Sequence, residues 1–190
     1  QIIEGKAKRT LANRRMAEAV TYSFLSSQHA LLFGGGKDEL KLMNPISSDL
    51  DEMRPSIIPN LISSALKNSN MGNSDTAIFE VGPQYADASA EGQQVVAAGI
   101  RTGQTAARHW SNVSRSVDVF DVKGDVVALL EVLGVPVANL QTSVDAPYWY
   151  HPGRSGVLRL GPNVLAYFGE IHPTVLRAMN VDYPIMAFEV

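Results

Sequence analysis

The chain contains no cysteine. Disulfides, thiolate metal sites and a cysteine nucleophile are therefore excluded, and the composition fits a cytosolic protein. No apolar run approaches the roughly 20 residues that a membrane helix needs, and no signal-peptide pattern follows Gln1. Excess charge is also lacking. The net formal charge is −3, too small for a global field that draws nucleic acid. The one basic cluster, Lys6, Lys8, Arg9, Arg14 and Arg15, reads first as a solvated helix face and only second as a phosphate contact. Gly34-Gly35-Gly36 is followed by no Gly-Lys-Ser/Thr, so the triplet is a turn and not a phosphate loop. There is no internal repeat and no low-complexity linker.

What is present is ordinary for a globular protein: 190 residues, 45% hydrophobic and 18% charged. That is enough for one domain with a full core, spanning 1–190. The chain starts without Met and stops at Phe188-Glu189-Val190, so a piece excised from a longer protein is expected.

Periodicity predicts a helix over 7–19, with Ala12, Met16, Ala19 and Val20 as its buried stripe. A strand follows over Val20–Leu25, and Ser26 or Ser27 caps a short helix reaching Phe33. A strand over Glu39–Met43 ends at the turn Asn44-Pro45, and a polar loop leads to a helix starting near Ser56. Ile58, Leu61, Ile62, Ala65 and Leu66 share one face of that helix. Pro59 is tolerated because it falls in the first turn.

Further strands are expected over Thr76–Val81, ending at Gly82-Pro83, and over Gln93–Arg101. A loop over Gly103–Val113 and a strongly periodic helix over 118–133, closed by Gly134, come next. Leu140–Val144 reads as a strand, and Val157–Leu160 pairs with Val164–Ile171 across Gly161-Pro162-Asn163. A short helix over Pro173–Met179 and a strand over Pro184–Val190 complete the chain. Short links between strands imply a largely antiparallel sheet flanked by helices, an α+β fold.

Three motifs carry a family resemblance. The first is Asn44-Pro45-Ile46-Ser47 with Met53-Arg54-Pro55-Ser56-Ile57-Ile58-Pro59-Asn60-Leu61-Ile62 and Asn68. The second is Ile78-Phe79-Glu80-Val81-Gly82-Pro83-Gln84-Tyr85. The third is Tyr150-His151-Pro152-Gly153-Arg154-Ser155-Gly156 with Phe168-Gly169-Glu170-Ile171-His172-Pro173. Together they cover nearly the whole chain, which resembles the bacterial phenylalanyl-tRNA synthetase β chain in its region similar to a class II synthetase catalytic module. The resemblance implies a class II aminoacyl-tRNA synthetase or biotin ligase-like sheet. It also implies a cytoplasmic enzyme of two α and two β chains that charges phenylalanine tRNA with ATP and magnesium, the active site lying on the α chain. This chain's partners would be the α chain and, in the assembled enzyme, phenylalanine tRNA, with no membrane. The editing site would lie in another region, and the family's acidic magnesium-binding motif just before residue 1.

Active class II synthetases hold the ATP α-phosphate with an arginine on the strand resembling 78–85. That task needs a fixed fork of donors aimed at phosphate oxygens. Aligning Glu80 and Gly82 with the family pattern puts Ala86 at that arginine and Ala88 at a following glutamate. A methyl group cannot bind phosphate. The Glu-Arg dipeptide that ends another ATP-binding strand is absent from the chain, and Ala187-Phe188-Glu189-Val190 is the vestige of that strand at best. The resemblance therefore implies no catalytic, cofactor-binding or metal residue here: an inactive module that packs against the α catalytic module. The runner-up, a free-standing ATP-dependent ligase or acyl transferase, is opposed by Ala86. A tRNA-binding module is opposed by the acidic balance.

The candidate residues are structural or interfacial. Arg54 precedes the central helix at the sheet's edge, as an ion-pair residue, and Glu80 belongs to the second motif. His151, Arg154, Glu170 and His172 invite a catalytic or zinc reading, but a third metal ligand is not evident, and ordering a turn and a helix start is the better reading. Ser155, His151 and Asp145 lack the nucleophile elbow that a triad needs. Trp110, Tyr148, Trp149 and Tyr150 fall outside the periodic core positions. Three consecutive aromatics after Pro147 cannot all point inward, so part of this cluster is expected to be exposed and to serve assembly.

Overall fold

The computed structural model describes residues 2–107, 109–111 and 113–190. The loop expected over 103–113 thus includes Arg108 and Asn112, which lie outside the described residues.

The fold is built on one hairpin extended by its neighbours. β4 (Thr76–Tyr85) and β5 (Gln93–Thr102) pair antiparallel in register from Thr76↔Thr102 to Tyr85↔Gln93. β9 (Met186–Glu189) lies between β5 and β8 (Asn163–Ile171), so the last strand of the chain is central, and all four of its residues are buried. β7 (Tyr150–Leu160) and β6 (Gln141–Ser143) follow on one side. On the other edge β1 (Ala17–Glu18) pairs parallel with Ile78 and Phe79. The order is β1-β4-β5-β9-β8-β7-β6, with the other pairings antiparallel.

Alternation along the strands divides two cores between the two faces. Ile78, Ala98, Ile100, Ile171 and Ala187 pack with Ile58, Leu61, Ile62 and Ala65 of α3 (Ile58–Asn70). Phe79, Ala97, Phe168 and Phe188 pack with Ala7 and Leu11 of α1 (Ile2–Asn13) and with Val122, Val126 and Leu129 of α4 (Val119–Val132). On this second face Gly99, Phe188, Phe168 and Gly156 stand in one cross-strand row. A Cβ at Gly99 would come within 2.5 Å of the Phe188 ring, and one at Gly156 within 2.7 Å of the Phe168 ring. The two glycines make room for the two rings.

Local chemistry sets the remaining elements. Ser26 caps α2 (Ser27–Leu32) by accepting from His29 N–H. Asp118 and Asp121 form a reciprocal capping box at the start of α4. His172 caps α5 (Pro173–Ala178), with Pro173 at the first helical position. β2 (Phe24–Leu25) and β3 (Glu52–Met53) form a separate two-stranded ribbon.

Several sequence expectations are corrected. The first helix ends at Asn13, not 19, because Arg15 adopts a left-handed φ of 64° and the Met16 N–H turns back to the Leu11 carbonyl. Its buried stripe is Ala7 and Leu11, with Met16 just beyond, while Ala12 and Val20 are exposed. The strand expected over 20–25 shrinks to Phe24–Leu25, since side chains claim the backbone before it: Glu80 accepts from the Thr21 N–H, and Asn60 and Arg54 donate to the Tyr22 carbonyl. In place of a strand over 39–43 stand a 3-10 turn, Asp38–Leu40, and a single bridge from Lys41 to Glu52. β4 continues through Gly82-Pro83 to Tyr85, because β1 covers its outer edge only at Ile78 and Phe79, so the missing Pro83 N–H costs no ladder bond. Tyr148 and Trp149 form a turn, and β7 begins at Tyr150, ahead of the strand expected from Val157, and is irregular between Tyr150 and Ser155.

Candidate functional site

Three segments meet at one carboxylate. Glu189 lies on central β9 in an otherwise apolar strand. Its Oε1 accepts from Ser56 Oγ at 2.6 Å, just before α3, and Ser56 Oγ in turn accepts from the Ile58 N–H at 3.2 Å. Its Oε2 accepts from Trp149 Nε1 at 3.2 Å and from the Tyr150 hydroxyl at 2.9 Å. Burial raises the Glu189 carboxyl above the usual carboxylate range, against the pull of these hydrogen bonds. Burial, and then the Glu189 charge, pushes the Tyr150 hydroxyl well above its ordinary value.

The aromatic segment closes over this centre. The Trp149 ring lies 5.9 Å from Phe33, 5.2 Å from Tyr148 edge-on and 6.3 Å from Tyr150, centroid to centroid. The Tyr148 hydroxyl donates to the Leu31 carbonyl and accepts from the Gly34 N–H, both at 2.9 Å, which staples the segment to the end of α2. Of the four aromatics named from the sequence, Tyr150 is buried, Trp149 is partly buried, Tyr148 is 61% exposed and Trp110 is 92% exposed. Trp110 stands apart in the loop after β5, 5.5 Å from His109.

Arg54 is fully engaged beside this centre. Its Nε donates to the Pro83 carbonyl at 2.8 Å, Nη1 to Thr21 Oγ1 at 2.9 Å and Nη2 to Glu80 Oε1 at 2.9 Å. Thr21 Oγ1 donates onward to Glu80 Oε2 at 2.7 Å. These bonds tie the start of α3 to β4 and to the chain after β1. On the opposite face, Asp125 of α4 is buried between Arg14, at 2.5 Å, and Arg101, at 2.6 Å.

At the far edge His151 and His172 stack 6.1 Å apart, and Arg154 pairs with Glu170 at 2.8 Å. His151 Nδ1 accepts from the Gly153 N–H and His172 Nδ1 from the Thr174 N–H, both at 3.1 Å. Each imidazole thus serves its own turn. The Ser155 hydroxyl donates to the His151 carbonyl, and Asp145 is engaged by Ser143 and Arg159, so no triad is assembled. Among the described residues no group of three or more His, Asp or Glu is placed to share a metal ion. A groove of about 1150 Å³ runs along α3 beside Tyr22, His29 and Lys67, and none of the Glu189 partners lines it.

Sequence reasoning missed Ser56, Asp125 and the role of Glu189. The signal was there for two of them: an acid inside the apolar run 185–190, and an acid within the apolar stripe of α4.

The donors on the Glu189 carboxyl are all neutral, and the chain leaves β4 at Ala86, whose N–H bonds the Gly92 carbonyl.

Residues 1–190 match the family described as the phenylalanyl tRNA synthetase beta chain CLM domain. The phenylalanine–tRNA ligase beta subunit of Rhodospirillum rubrum is 56% identical over 182 residues, which are 96% of this chain and 23% of that protein. The corresponding subunit of Mesorhizobium japonicum is 48% identical over 195 aligned residues, 100% of this chain and 24% of that protein. The chain thus spans about a quarter of the length of these relatives. Among solved structures, a pyrrolysyl-tRNA synthetase from Desulfitobacterium hafniense superposes with a TM-score of 0.72 at 13% identity, over 98% of this chain and 62% of that one. The shared fold is that of a class II synthetase.

Proposed function

The chain belongs to the family of phenylalanyl-tRNA synthetase β-chain CLM domains, and from that premise we propose that it is a non-catalytic module of a phenylalanine–tRNA ligase. In this reading it packs against the α-chain catalytic module. The assembled cytoplasmic enzyme, two α and two β chains, joins phenylalanine to its tRNA, and ATP and magnesium bind on the α chain. The supporting observation is the polar centre itself. Glu189 is a buried carboxyl satisfied by the neutral donors of Ser56, Trp149 and Tyr150 of the same chain, where a phosphate would need cations. Ala86 adds a methyl group where the family resemblance calls for a phosphate-binding arginine.

Assembly is the role left to a module that keeps its fold without the chemistry. Trp110 and Tyr148 offer exposed aromatic anchors for the α chain. Co-expression with the α chain tests the reading. A stable complex through affinity capture and gel filtration is expected, with no pyrophosphate exchange by this chain alone. Exchange above background, or no complex at micromolar concentrations, overturns it.

A further inference from the structure

Trp149 is one of two tryptophans in the chain. Its indole is seated on the α3 side of the sheet, against β9. Phe33, Tyr148 and Tyr150 surround the ring at centroid distances of 5.9, 5.2 and 6.3 Å. Its one polar atom, Nε1, donates to Glu189 Oε2 at 3.2 Å. The wall on the α2 side is Gly34, with a left-handed φ of 85°, and a Cβ there would stand 3.3 Å from the six-membered ring. Gly34 is in turn held by the Tyr148 hydroxyl, so the glycine wall and the aromatic segment are fixed together.

An aromatic box with one buried, oriented acceptor is the lining that small planar ligands use. Glu189 makes the box selective. Its present partners are all neutral donors, and a guest that takes the place of the indole keeps the bond to Oε2 by bringing an N–H of its own. Ser56 and Tyr150 remain to satisfy the carboxylate when the indole is absent. Trp149 is partly buried, so removing its side chain leaves a recess of indole size, open on one side and still lined by Phe33, Tyr148 and Tyr150, that an aromatic molecule can fill.

We propose that Trp149 is the built-in occupant of an aromatic binding site, and that removing its side chain opens that site to a planar heterocycle carrying one N–H donor. The natural chain is thereby closed to such molecules. This goes beyond the assembly role and does not rest on it.

The test is thermal unfolding of Trp149→Gly and of the unaltered protein, each titrated with indole and with 1-methylindole. Indole is expected to raise the melting temperature of Trp149→Gly saturably, by about 5–10 °C at roughly a hundredfold excess over its dissociation constant. The unaltered protein should not respond. 1-Methylindole, which lacks the N–H, should give a smaller shift. A folded variant that ignores indole overturns the proposal, as does an equal response of both proteins or an equal response to both compounds. If Trp149→Gly does not fold alone, it is refolded with indole. Recovery of the near-ultraviolet circular dichroism supports the proposal, and no recovery up to the solubility limit overturns it.

Discussion

Arg54 Nη2 and Glu80 Oε1 stand 2.9 Å apart with their side chains only 1% and 6% exposed. The pair joins the segment just before α3 to β4, and Thr21 closes it into a three-membered network. Every fork of the guanidinium is used inside the chain, on Pro83, Thr21 and Glu80. Arg54 therefore has the position of a clamp at the start of the central helix.

Removing one side of such a pair leaves the other charge buried without compensation. Arg54→Ala is expected to cost about 3–5 kcal/mol, and Glu80→Ala a similar amount. The double replacement should cost less than the sum, because no orphan charge remains. Urea unfolding of the three variants checks this. Additive losses, or a loss under about 1 kcal/mol for Arg54→Ala, would show that the pair is not the clamp.

Glycine substitutions should separate by sign. Gly169 has φ 148°, and a Cβ there would lie 2.4 Å from Ser155 Cβ and 2.6 Å from the Arg154 carbonyl oxygen. The neighbouring strand cannot yield, so Gly169→Ala is expected to destabilise by at least about 2 kcal/mol. Gly5 lies in α1, and a Cβ there would meet nothing within 4 Å. Gly5→Ala should stabilise by about 0.5–1 kcal/mol. Denaturant midpoints of the two variants give the answer directly.

How much of this was legible in the sequence depends on range. The hairpin around Gly161-Pro162 and the helix closed by Gly134 carry local signals, alternation in one and 3.6-residue spacing in the other, and both stand in the structure. β3 has two residues, too few for any period. The end of α1 turns on a left-handed Arg15, a conformation that no residue type there announces. The central place of β9 is set by strand order, which is a tertiary property. The acid of the site was visible, but its partners were not. Tyr150 lies 39 residues from Glu189 and Ser56 lies 133 away.

The exposed aromatics give a separable test of the assembly reading. Trp110 is 92% exposed, so Trp110→Ala should leave folding stability within about 0.5 kcal/mol of the original. If Trp110 anchors the α chain, the same change should weaken that complex by about 2 kcal/mol, or roughly 30-fold. Titration calorimetry against the α chain measures it. An unchanged affinity moves the interface elsewhere on the surface.

Glu189 should leave a mark on the pH dependence of stability. Burial raises its carboxyl in the folded protein above the ordinary glutamate value of 4.5. Between that value and the raised one, the folded chain holds a proton that the unfolded chain has released. In that window stability falls as pH rises. The contribution is fully present below the unfolded value and is lost as pH passes through the folded value. Asp51 and Asp121 act in the opposite sense: hydrogen bonds, from the Ser27 backbone to Asp51 and from the Arg115 side chain to Asp121, lower their carboxyls below the ordinary 3.8. Their contribution is lost as pH falls through those lowered values, outside the Glu189 window. Glu189→Gln separates the effects. Its carbonyl can accept from Trp149 and Tyr150 while its amide donates to Ser56 Oγ, so the packing is kept and the titration removed. The melting temperature of the unaltered protein should therefore decline relative to Glu189→Gln as pH rises from 4.5 toward neutrality. Calorimetric scans across that range decide it, and parallel curves would show that the carboxyl does not titrate there.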